Sequence, residues 1–216
     1  MTRAGIFISF EGSEGCGKTT QIERLSCALR EAGRNVLVTR EPGGTPVGEQ
    51  IRHVLQHSKD SEGMTSESEL LLFAASRAQL VREVIRPALA AGTDVISDRF
   101  LDSTAVYQGV ARRLAAEDVR RINAFAVGDC LPDLTFVLDL EAAEARARVF
   151  GPGADSEPDR IEREPLEFYE RVRAGYLELA AANPARFRVI DGSQDRDTIA
   201  TKIFQHVREA LDGIPA

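Results

Sequence analysis

Long apolar runs and cysteines are both scarce in this chain of 216 residues. The longest apolar stretch ends well short of the roughly 18–20 residues that a membrane-spanning helix needs, so the sequence predicts no membrane partner. The N-terminal residues lack the apolar core and cleavage site of a signal peptide, and we therefore expect a cytoplasmic location. The three cysteines form no C-x-x-C pair, which favours neither a disulfide framework nor a zinc site.

Positive charge is also in deficit, because the formal net charge is −7. A broad nucleic-acid surface normally needs a basic face, so we expect no nucleic-acid partner. A local group of arginines can still bind one small anion. Internal repeats and low-complexity tracts are absent from the sequence, and its length and composition suit one domain over residues 1–216.

Short apolar runs alternate with segments of helical spacing along the whole chain. The runs predict strands at 6–10, 35–39, 94–97, 134–140 and 186–190. The helical segments are 18–32, 67–91 with a break near Pro87, 115–127, 141–149, 165–182 and 198–211. Such alternation predicts an α/β fold, a five-stranded parallel sheet with helices on both faces. Ligands of these sheets bind at the carboxyl ends of the strands.

The loop EGSEGCGKTT follows the first strand and fits G-x-x-x-x-G-K-S/T. Its backbone N–H groups and the next helix N-terminus form an anion site. Lys18 would reach the β- and γ-phosphates of a nucleotide, and the Thr19 hydroxyl would ligate Mg²⁺. The residues predicted to bind ATP here are Gly12, Ser13, Gly15, Cys16, Gly17, Lys18, Thr19 and Thr20. Glu14 is unexpected, because a carboxylate would repel phosphates.

Two polar segments follow the next predicted strands. In DRF, Asp98 is placed to hold Mg²⁺ or its water, and Arg99 to grip a phosphate. The alternative is a surface Asp–Arg ion pair. In REPGGT, Gly43 and Gly44 permit tight backbone geometry, although this segment could be a connecting turn.

Two further segments offer groups for a small ligand. Phe73 and Arg77 in LLLFAASRAQ are four residues apart and share a helix face, where they could hold a flat heterocycle. The plainer interpretation is a core Phe and a surface Arg. DSTAVYQG, residues 102–109, is rich in hydroxyl and amide groups, and could be only a capped helix start.

Residues 146–164 place arginines around a stretch rich in glycine and proline, GPGADSEP. A mobile loop with Arg146, Arg148, Arg160 and Arg163 could close over transferring phosphates and neutralise their charge. We therefore predict a short mobile lid at about 149–164. The alternative is a solvated surface loop with exposed charge pairs.

The sequence resembles the bacterial thymidylate kinases over nearly the whole chain. The segments that carry the resemblance are FEGSEGCGKTT, TREPGGT, LLLFAASRAQ, ISDRFLDSTAVYQG, LPDLTFVLDL and DRIERE followed by GYLELA. This ordered set is far more specific than the phosphate loop alone. The resemblance implies a P-loop NTPase fold, usually a homodimer, that uses ATP and Mg²⁺ to convert dTMP to dTDP. Two alternatives stay open: a kinase for another pyrimidine deoxynucleotide such as dUMP, and a regulatory nucleotide-binding protein.

The resemblance also implies an acceptor pocket for dTMP. Phe73 would stack on thymine, Tyr107 would crowd the 2′ position of the sugar, and Glu14 would accept a hydrogen bond from the 3′-hydroxyl. The other implied acceptor residues are Arg77, Thr104 and Gln108 at the edge of the base, Arg99, Arg52 and Arg40 at the phosphate, and Glu41 and Pro42 in the wall. Arg146 would lie near ATP, with residues 191–194 beside adenine.

One departure from the family concerns the catalytic arginine. Members without a basic residue at the variable positions of the phosphate loop supply an arginine from the lid, and the variable positions here, residues 13–16, hold none. Phe150 stands where some bacterial relatives have a further arginine. Arg148 and Arg160 are therefore the candidates to join Lys18 and Arg99 in catalysis. We slightly prefer Arg160, although it could pair with Glu162 or Glu164 instead.

Overall fold

A computed structural model of the protein describes residues 5–58, 61–151 and 159–212. Its centre is a five-stranded parallel sheet with the strand order β2-β3-β1-β4-β5. The strands are β1 (Phe7–Glu11), β2 (Val36–Arg40), β3 (Asp94–Asp98), β4 (Leu134–Asp139) and β5 (Phe187–Asp191). The predicted parallel sheet is confirmed. Because β1 lies between β3 and β4, the loop after β1 meets the segments that follow its neighbours.

Helices connect all the strands. They are α1 (Lys18–Glu31), α2 (Pro46–Arg52), α3 (Ser66–Leu80), α4 (Arg86–Ala90), α5 (Leu101–Thr104), α6 (Ala116–Val127), α7 (Ala142–Val149), α8 (Leu166–Ala182) and α9 (Arg196–Asp212). Within the described residues, three π-helical segments extend them: His53–His57 after α2, Val81–Ile85 between α3 and α4, and Ala105–Ala111 after α5.

Helix α2 was not predicted, because the turn-rich sequence before it dominated the pattern. The signal for it is present nevertheless. The side chain of Thr45 accepts a hydrogen bond from the Gly48 N–H at 2.9 Å, and Pro46 occupies the first turn. A threonine cap followed by proline is a usual helix start.

The core is divided by the sheet, because successive strand residues point to opposite faces. On one face, Ile8 and Phe10 of β1 pack with α1 and α9, for example with Leu25 and Ile203. On the other face, Phe7 packs with Leu80 and neighbouring apolar side chains at the end of α3. Helices on both faces, as predicted, therefore shield β1, all of whose residues are buried.

The predicted lid lies only partly in the described structure. Helix α7 ends at Val149, and residues 152–158 lie outside the described residues. The chain is described again from Asp159, whose carboxylate oxygen accepts hydrogen bonds from the N–H groups of Ile161 and Glu162, both at 2.8 Å. This turn leads into α8.

In the described ranges, none of the helices combines the length and the apolar character that crossing a membrane requires.

Candidate active site

The loop between β1 and α1 is built as a phosphate cradle. Gly12 and Gly15 have φ angles of 132° and 75°, a region that side-chain-bearing residues rarely adopt. A Cβ atom on Gly12 would lie 2.7 Å from the Leu138 carbonyl oxygen. Lys18 is buried and donates from Nζ to the carbonyl oxygens of Gly12 and Ser13, at 3.2 and 2.9 Å. The loop therefore holds its lysine against the backbone that would surround the phosphates.

Glu14 links this loop to the residues after β3. Its Oε1 accepts a hydrogen bond from Arg99 Nη2 at 2.5 Å, and its Oε2 lies 3.7 Å from Lys18 Nζ. Burial raises the pKa of this carboxyl, but the charges of Arg99 and Lys18 outweigh burial and lower the pKa to about 2. Glu14 is therefore an ionised bridge between two cations, which explains a carboxylate in a phosphate loop.

Arg99 is held in a fixed position by hydroxyl groups. Its backbone has a φ angle of 68°, which is uncommon for arginine and characteristic of functional sites. The guanidinium donates to the Tyr107 and Tyr176 hydroxyls at 3.2 and 3.3 Å, and to Ser103 Oγ at 3.2 Å. The side chain is only 12% exposed. Tyr176, on α8, is a contributor that the sequence did not identify.

Glu11, at the end of β1, is another residue that sequence reasoning missed. Its carboxylate is fully buried and accepts hydrogen bonds from Ser103 Oγ at 2.6 Å, the Tyr176 hydroxyl at 2.9 Å and the Phe100 N–H at 2.8 Å. Burial, with the nearby charge of Asp102, raises its pKa. An acid at the end of a buried apolar strand was the available signal. Glu11 fixes two of the hydroxyls that hold Arg99.

A cavity opens beside Arg99, and small-molecule sites are usually concave. Its lining comprises Glu14, Arg40, Glu41, Pro42, Arg52, Gln56, Phe73, Asp98, Arg99, Ser103, Thr104, Tyr107, Gln108, Asp159, Ile161 and Glu162. All the predicted acceptor residues are in this set except Arg77. We call this cavity the acceptor pocket.

Gln56 was not predicted to lie in the acceptor pocket, because it comes from the π-helical segment after α2. Its side-chain oxygen is buried, and no donor among the described residues reaches it. A buried acceptor without a donor is costly. This oxygen is therefore available to a ligand with an N–H or O–H group.

Arg77 lies behind the wall of the acceptor pocket and is 1% exposed. Nε and Nη2 donate to Glu41 Oε2 at 2.8 and 2.6 Å. The remaining donors reach Thr104 Oγ1 at 3.0 Å, Asn123 Oδ1 at 2.8 Å and the Phe100 carbonyl at 3.2 Å. All five N–H groups of Arg77 are thereby used, so in this arrangement it positions Thr104 and Glu41. Burial, opposed by Arg77, raises the pKa of Glu41 to about 7.

A second groove runs along the other side of the phosphate loop. It is lined by Gly15, Cys16, Gly17, Thr20, Gln21, Arg148, Gly192, Gln194, Asp195, Arg196 and Ile199. Arg148 Nη1 lies 3.4 Å from the Gly15 carbonyl oxygen. The loop after β5, which the resemblance places beside adenine, therefore borders the same groove as the phosphate loop and Arg148.

The other lid arginines face different partners. Arg160 donates from Nε to the Leu55 carbonyl at 3.1 Å and from Nη2 to Glu69 Oε2 at 2.5 Å, and not to the acids anticipated from the sequence. Arg146 donates to the Glu164 carbonyl at 3.1 Å and lies over the Phe150 ring at 5.1 Å. Of the two candidates for catalysis, Arg148 is the one beside the phosphate loop.

The residues predicted to hold a metal ion share one groove. Thr19 and Asp98 both line it, together with Arg40 and Gly44. Their hydroxyl and carboxylate oxygens are the ligand type that Mg²⁺ prefers, and Mg²⁺ commonly needs few protein ligands when it is also bound by phosphates. The residues therefore fit this ion.

The phosphate loop between β1 and α1, with two adjoining pockets, defines a P-loop nucleotide-binding protein that has room for a second phosphorylated molecule. The sequence profile of the thymidylate kinase family matches residues 10–203.

Individual relatives agree with this match. Thymidylate kinase of Geobacter sulfurreducens is 51% identical over 203 residues, covering 92% of this chain and 94% of the relative. That of Desulforudis audaxviator is 48% identical over 213 residues, covering 98% and 94%. The crystal structure of thymidylate kinase from Ehrlichia chaffeensis superposes with a TM-score of 0.73 at 34% identity, covering 96% of this chain and 98% of that one. This chain belongs to the thymidylate kinase family, and the predicted P-loop NTPase fold is confirmed.

Proposed function

We propose that this enzyme transfers the γ-phosphoryl group of ATP to dTMP and releases dTDP and ADP. One observation carries the proposal: Glu14 contacts both Lys18 of the phosphate loop and Arg99 of the acceptor pocket. The donor and acceptor sites therefore meet at a point with two cations. Phosphoryl transfer needs alignment and charge neutralisation more than covalent help.

On the donor side, the loop backbone and Lys18 bind the phosphates of ATP, and Arg146 and residues 191–194 border the nucleotide. Thr19 and Asp98 would hold Mg²⁺, which when bound neutralises charge on the β- and γ-phosphates. Arg148 lies beside the loop and supplies the additional cation that residues 13–16 of the loop lack. We therefore assign the catalytic lid role to Arg148 in preference to Arg160.

On the acceptor side, Phe73 stacks on thymine, and Tyr107 crowds the 2′ position of the sugar. Thr104 and Gln108 face the polar edge of the base, with Arg77 behind Thr104. Arg99, Arg52 and Arg40 bind the acceptor phosphate. Glu41 and Pro42 form the wall around it, and Glu14 accepts a hydrogen bond from the 3′-hydroxyl group. The acceptor phosphate is already anionic, so a strong general base is unnecessary.

We further infer a homodimer. Val47 on α2, Leu71 on α3 and Phe125 on α6 are exposed by 51%, 56% and 82%. These helices pack side by side, α2 on α3 and α3 on α6, so their exposed apolar side chains can bury one another in a second copy. If so, Phe125→Glu should lower the mass measured by light scattering to that of one chain.

We also infer that residues 1–216 belong to one kinase domain and that the protein is located in the cytoplasm. The location is supported by Cys16, Cys27 and Cys130, which form no disulfide within the described residues. Cysteines outside disulfides suit a reducing compartment.

An acceptor panel tests the proposed activity. ADP release should be measured with dTMP, dUMP, dCMP, UMP and dGMP, and dTMP should give the highest kcat/KM. A rate with dUMP equal to or above that with dTMP would favour the alternative pyrimidine kinase. ATP binding without dTMP-dependent turnover would favour the regulatory protein. Lys18→Ala and Arg99→Ala are the controls, since both should nearly abolish turnover if the activity belongs to this site.

A further inference from the structure

Glu69, on α3, is 2% exposed and lies outside the acceptor pocket, yet it contacts a residue of the pocket wall. We propose that Glu69 is a positioning residue that determines which base the pocket accepts. It holds the Gln108 carboxamide in one of its two orientations, and so selects a base with an N–H at position 3 over one with an unprotonated nitrogen there. This inference rests on the proposed function, because it concerns the acceptor of that same site.

The contact between the two side chains has a defined polarity. Gln108 Nε2 donates to Glu69 Oε1 at 2.7 Å. An ionised carboxylate can only accept hydrogen bonds, so the carboxamide must turn its NH₂ group toward Glu69. Gln108 itself lines the pocket. With its nitrogen committed to Glu69, the end that remains for a ligand is the carbonyl oxygen.

Two arginines keep Glu69 in the charged form. Arg112 donates from Nε to Oε1 and from Nη2 to Oε2, both at 3.3 Å, and Arg160 Nη2 donates to Oε2 at 2.5 Å. Burial raises the pKa of Glu69, but the Gln108 hydrogen bond and the two arginines outweigh burial and lower the pKa. Arg112 is itself fixed over the Phe168 ring at 4.9 Å. Glu69 is therefore a rigid acceptor.

The hydroxyl of Thr104 completes the pattern presented to the base. Thr104 Oγ1 accepts a hydrogen bond from Arg77, which leaves its own O–H as a donor. Thr104 and Gln108 together thus present one donor and one acceptor, which suit the O4 and N3–H groups of thymine or uracil. Cytosine presents the opposite pattern, an NH₂ group and an unprotonated N3. The charged side chains behind the pocket, Glu69 and Arg77, thus determine which of the pocket's groups donate and which accept hydrogen bonds.

Glu69→Gln should reverse the orientation of the Gln108 carboxamide, and not merely weaken its contact with residue 69. Arg112 and Arg160 can only donate, and two of their donors reach Oε2 whereas one reaches Oε1. The oxygen of the new amide would therefore take the position of Oε2. The amide nitrogen would then take the position of Oε1 and face Gln108. Gln108 would have to turn its own oxygen toward residue 69 and its NH₂ group toward the base, which favours an unprotonated N3.

The experiment compares dTMP with 5-methyl-dCMP, which differs from dTMP only at positions 3 and 4 of the base. The ratio of their kcat/KM values is measured on one enzyme preparation, so an inactive fraction cancels. For Glu69→Gln the ratio should fall at least about tenfold, because one hydrogen bond is exchanged for a mismatch. If turnover of 5-methyl-dCMP is too slow, its inhibition constant against dTMP replaces kcat/KM.

Two further variants separate positioning from general damage. Glu164→Gln removes the other carboxylate that contacts Arg112 without touching Gln108, so the ratio should stay at the wild-type value. In a Gln108→Leu background, Glu69→Gln should leave the ratio unchanged, because Glu69 acts through Gln108.

The inference would be overturned if Glu69→Gln kept the wild-type ratio of kcat/KM for dTMP to that for 5-methyl-dCMP. It would also be overturned if Glu69→Gln changed this ratio equally in the wild-type and the Gln108→Leu backgrounds. The proposed function has a separate readout. If the wild-type enzyme does not phosphorylate dTMP, that function fails, while competition between the two nucleotides for binding still tests the orientation of Gln108.

Discussion

Replacing Arg148 with alanine should slow phosphoryl transfer while leaving the fold almost unchanged. The Arg148 side chain is 42% exposed and pairs with Glu144, one helical turn away, at 2.7 Å. Such exposed pairs contribute about 0.3–0.5 kcal/mol, so Tm should change by roughly 1–2 °C. A charged donor at a transferring phosphoryl group contributes far more, and we expect kcat to fall by roughly 10²–10³.

Replacing Arg160 with alanine should have the opposite signature. Its side chain is 19% exposed, and its partner Glu69 is 2% exposed. Removing one member of a buried pair typically costs about 3–5 kcal/mol. Here Arg112 and Gln108 remain as partners of Glu69, so we expect about 2 kcal/mol of destabilisation, less than that range. This corresponds to a fall in Tm of roughly 4–8 °C, with kcat within about threefold of wild type.

The assay is ADP release at saturating ATP and dTMP, paired with thermal melting of each variant. Glu144→Ala is the matched control, because it removes the helical ion pair and keeps Arg148. Its kcat should equal that of wild type. A hundredfold loss of kcat in Arg160→Ala, with little change in Arg148→Ala, would refute the assignment of the catalytic role to Arg148.

Three other residues give independent predictions. Phe73→Ala should raise the KM for dTMP by roughly 5–150-fold, the effect of losing about 1–3 kcal/mol of stacking, without changing the KM for ATP; an unchanged dTMP KM would argue against stacking. Glu14→Gln should narrow the preference for dTMP over 3′-deoxy-dTMP in kcat/KM, and an undiminished preference would exclude Glu14 as the partner of the 3′-hydroxyl. Burial raises the pKa of Glu41 from 4.5 to about 7, so the native state binds this proton more tightly than the unfolded chain does. The proton bound to Glu41 therefore stabilises the native state at low pH, and this stabilisation is lost as the pH rises. The Tm of wild type minus that of Glu41→Gln should therefore decrease between pH 4.5 and 7; a constant difference would contradict this.

The composition of local segments was enough to predict the strands, most helices and the phosphate loop. Buried parallel strands are continuous apolar runs, and a loop such as Gly12–Lys18 depends on backbone angles that its glycines permit. The rule that ligands bind at the carboxyl ends of parallel strands then located Arg99 and Asp98. Family resemblance added the roles proposed for Phe73 and Tyr107. Each strand, each helix and the phosphate loop is encoded by residues close together in the chain, so the sequence by itself determined these elements.

Only the tertiary structure decided where the long charged side chains point. Arg77 is four residues from Phe73, yet its guanidinium lies behind the pocket with Glu41, which is 36 residues away in sequence. Arg160 belongs to the predicted lid but reaches Glu69, 91 residues earlier. A flexible charged side chain takes the direction of its nearest opposite charge, and that partner is brought close by the packing of the helices. The bridge of Glu14 between Lys18 and Arg99 likewise exists only because β1 and β3 are neighbours in the sheet.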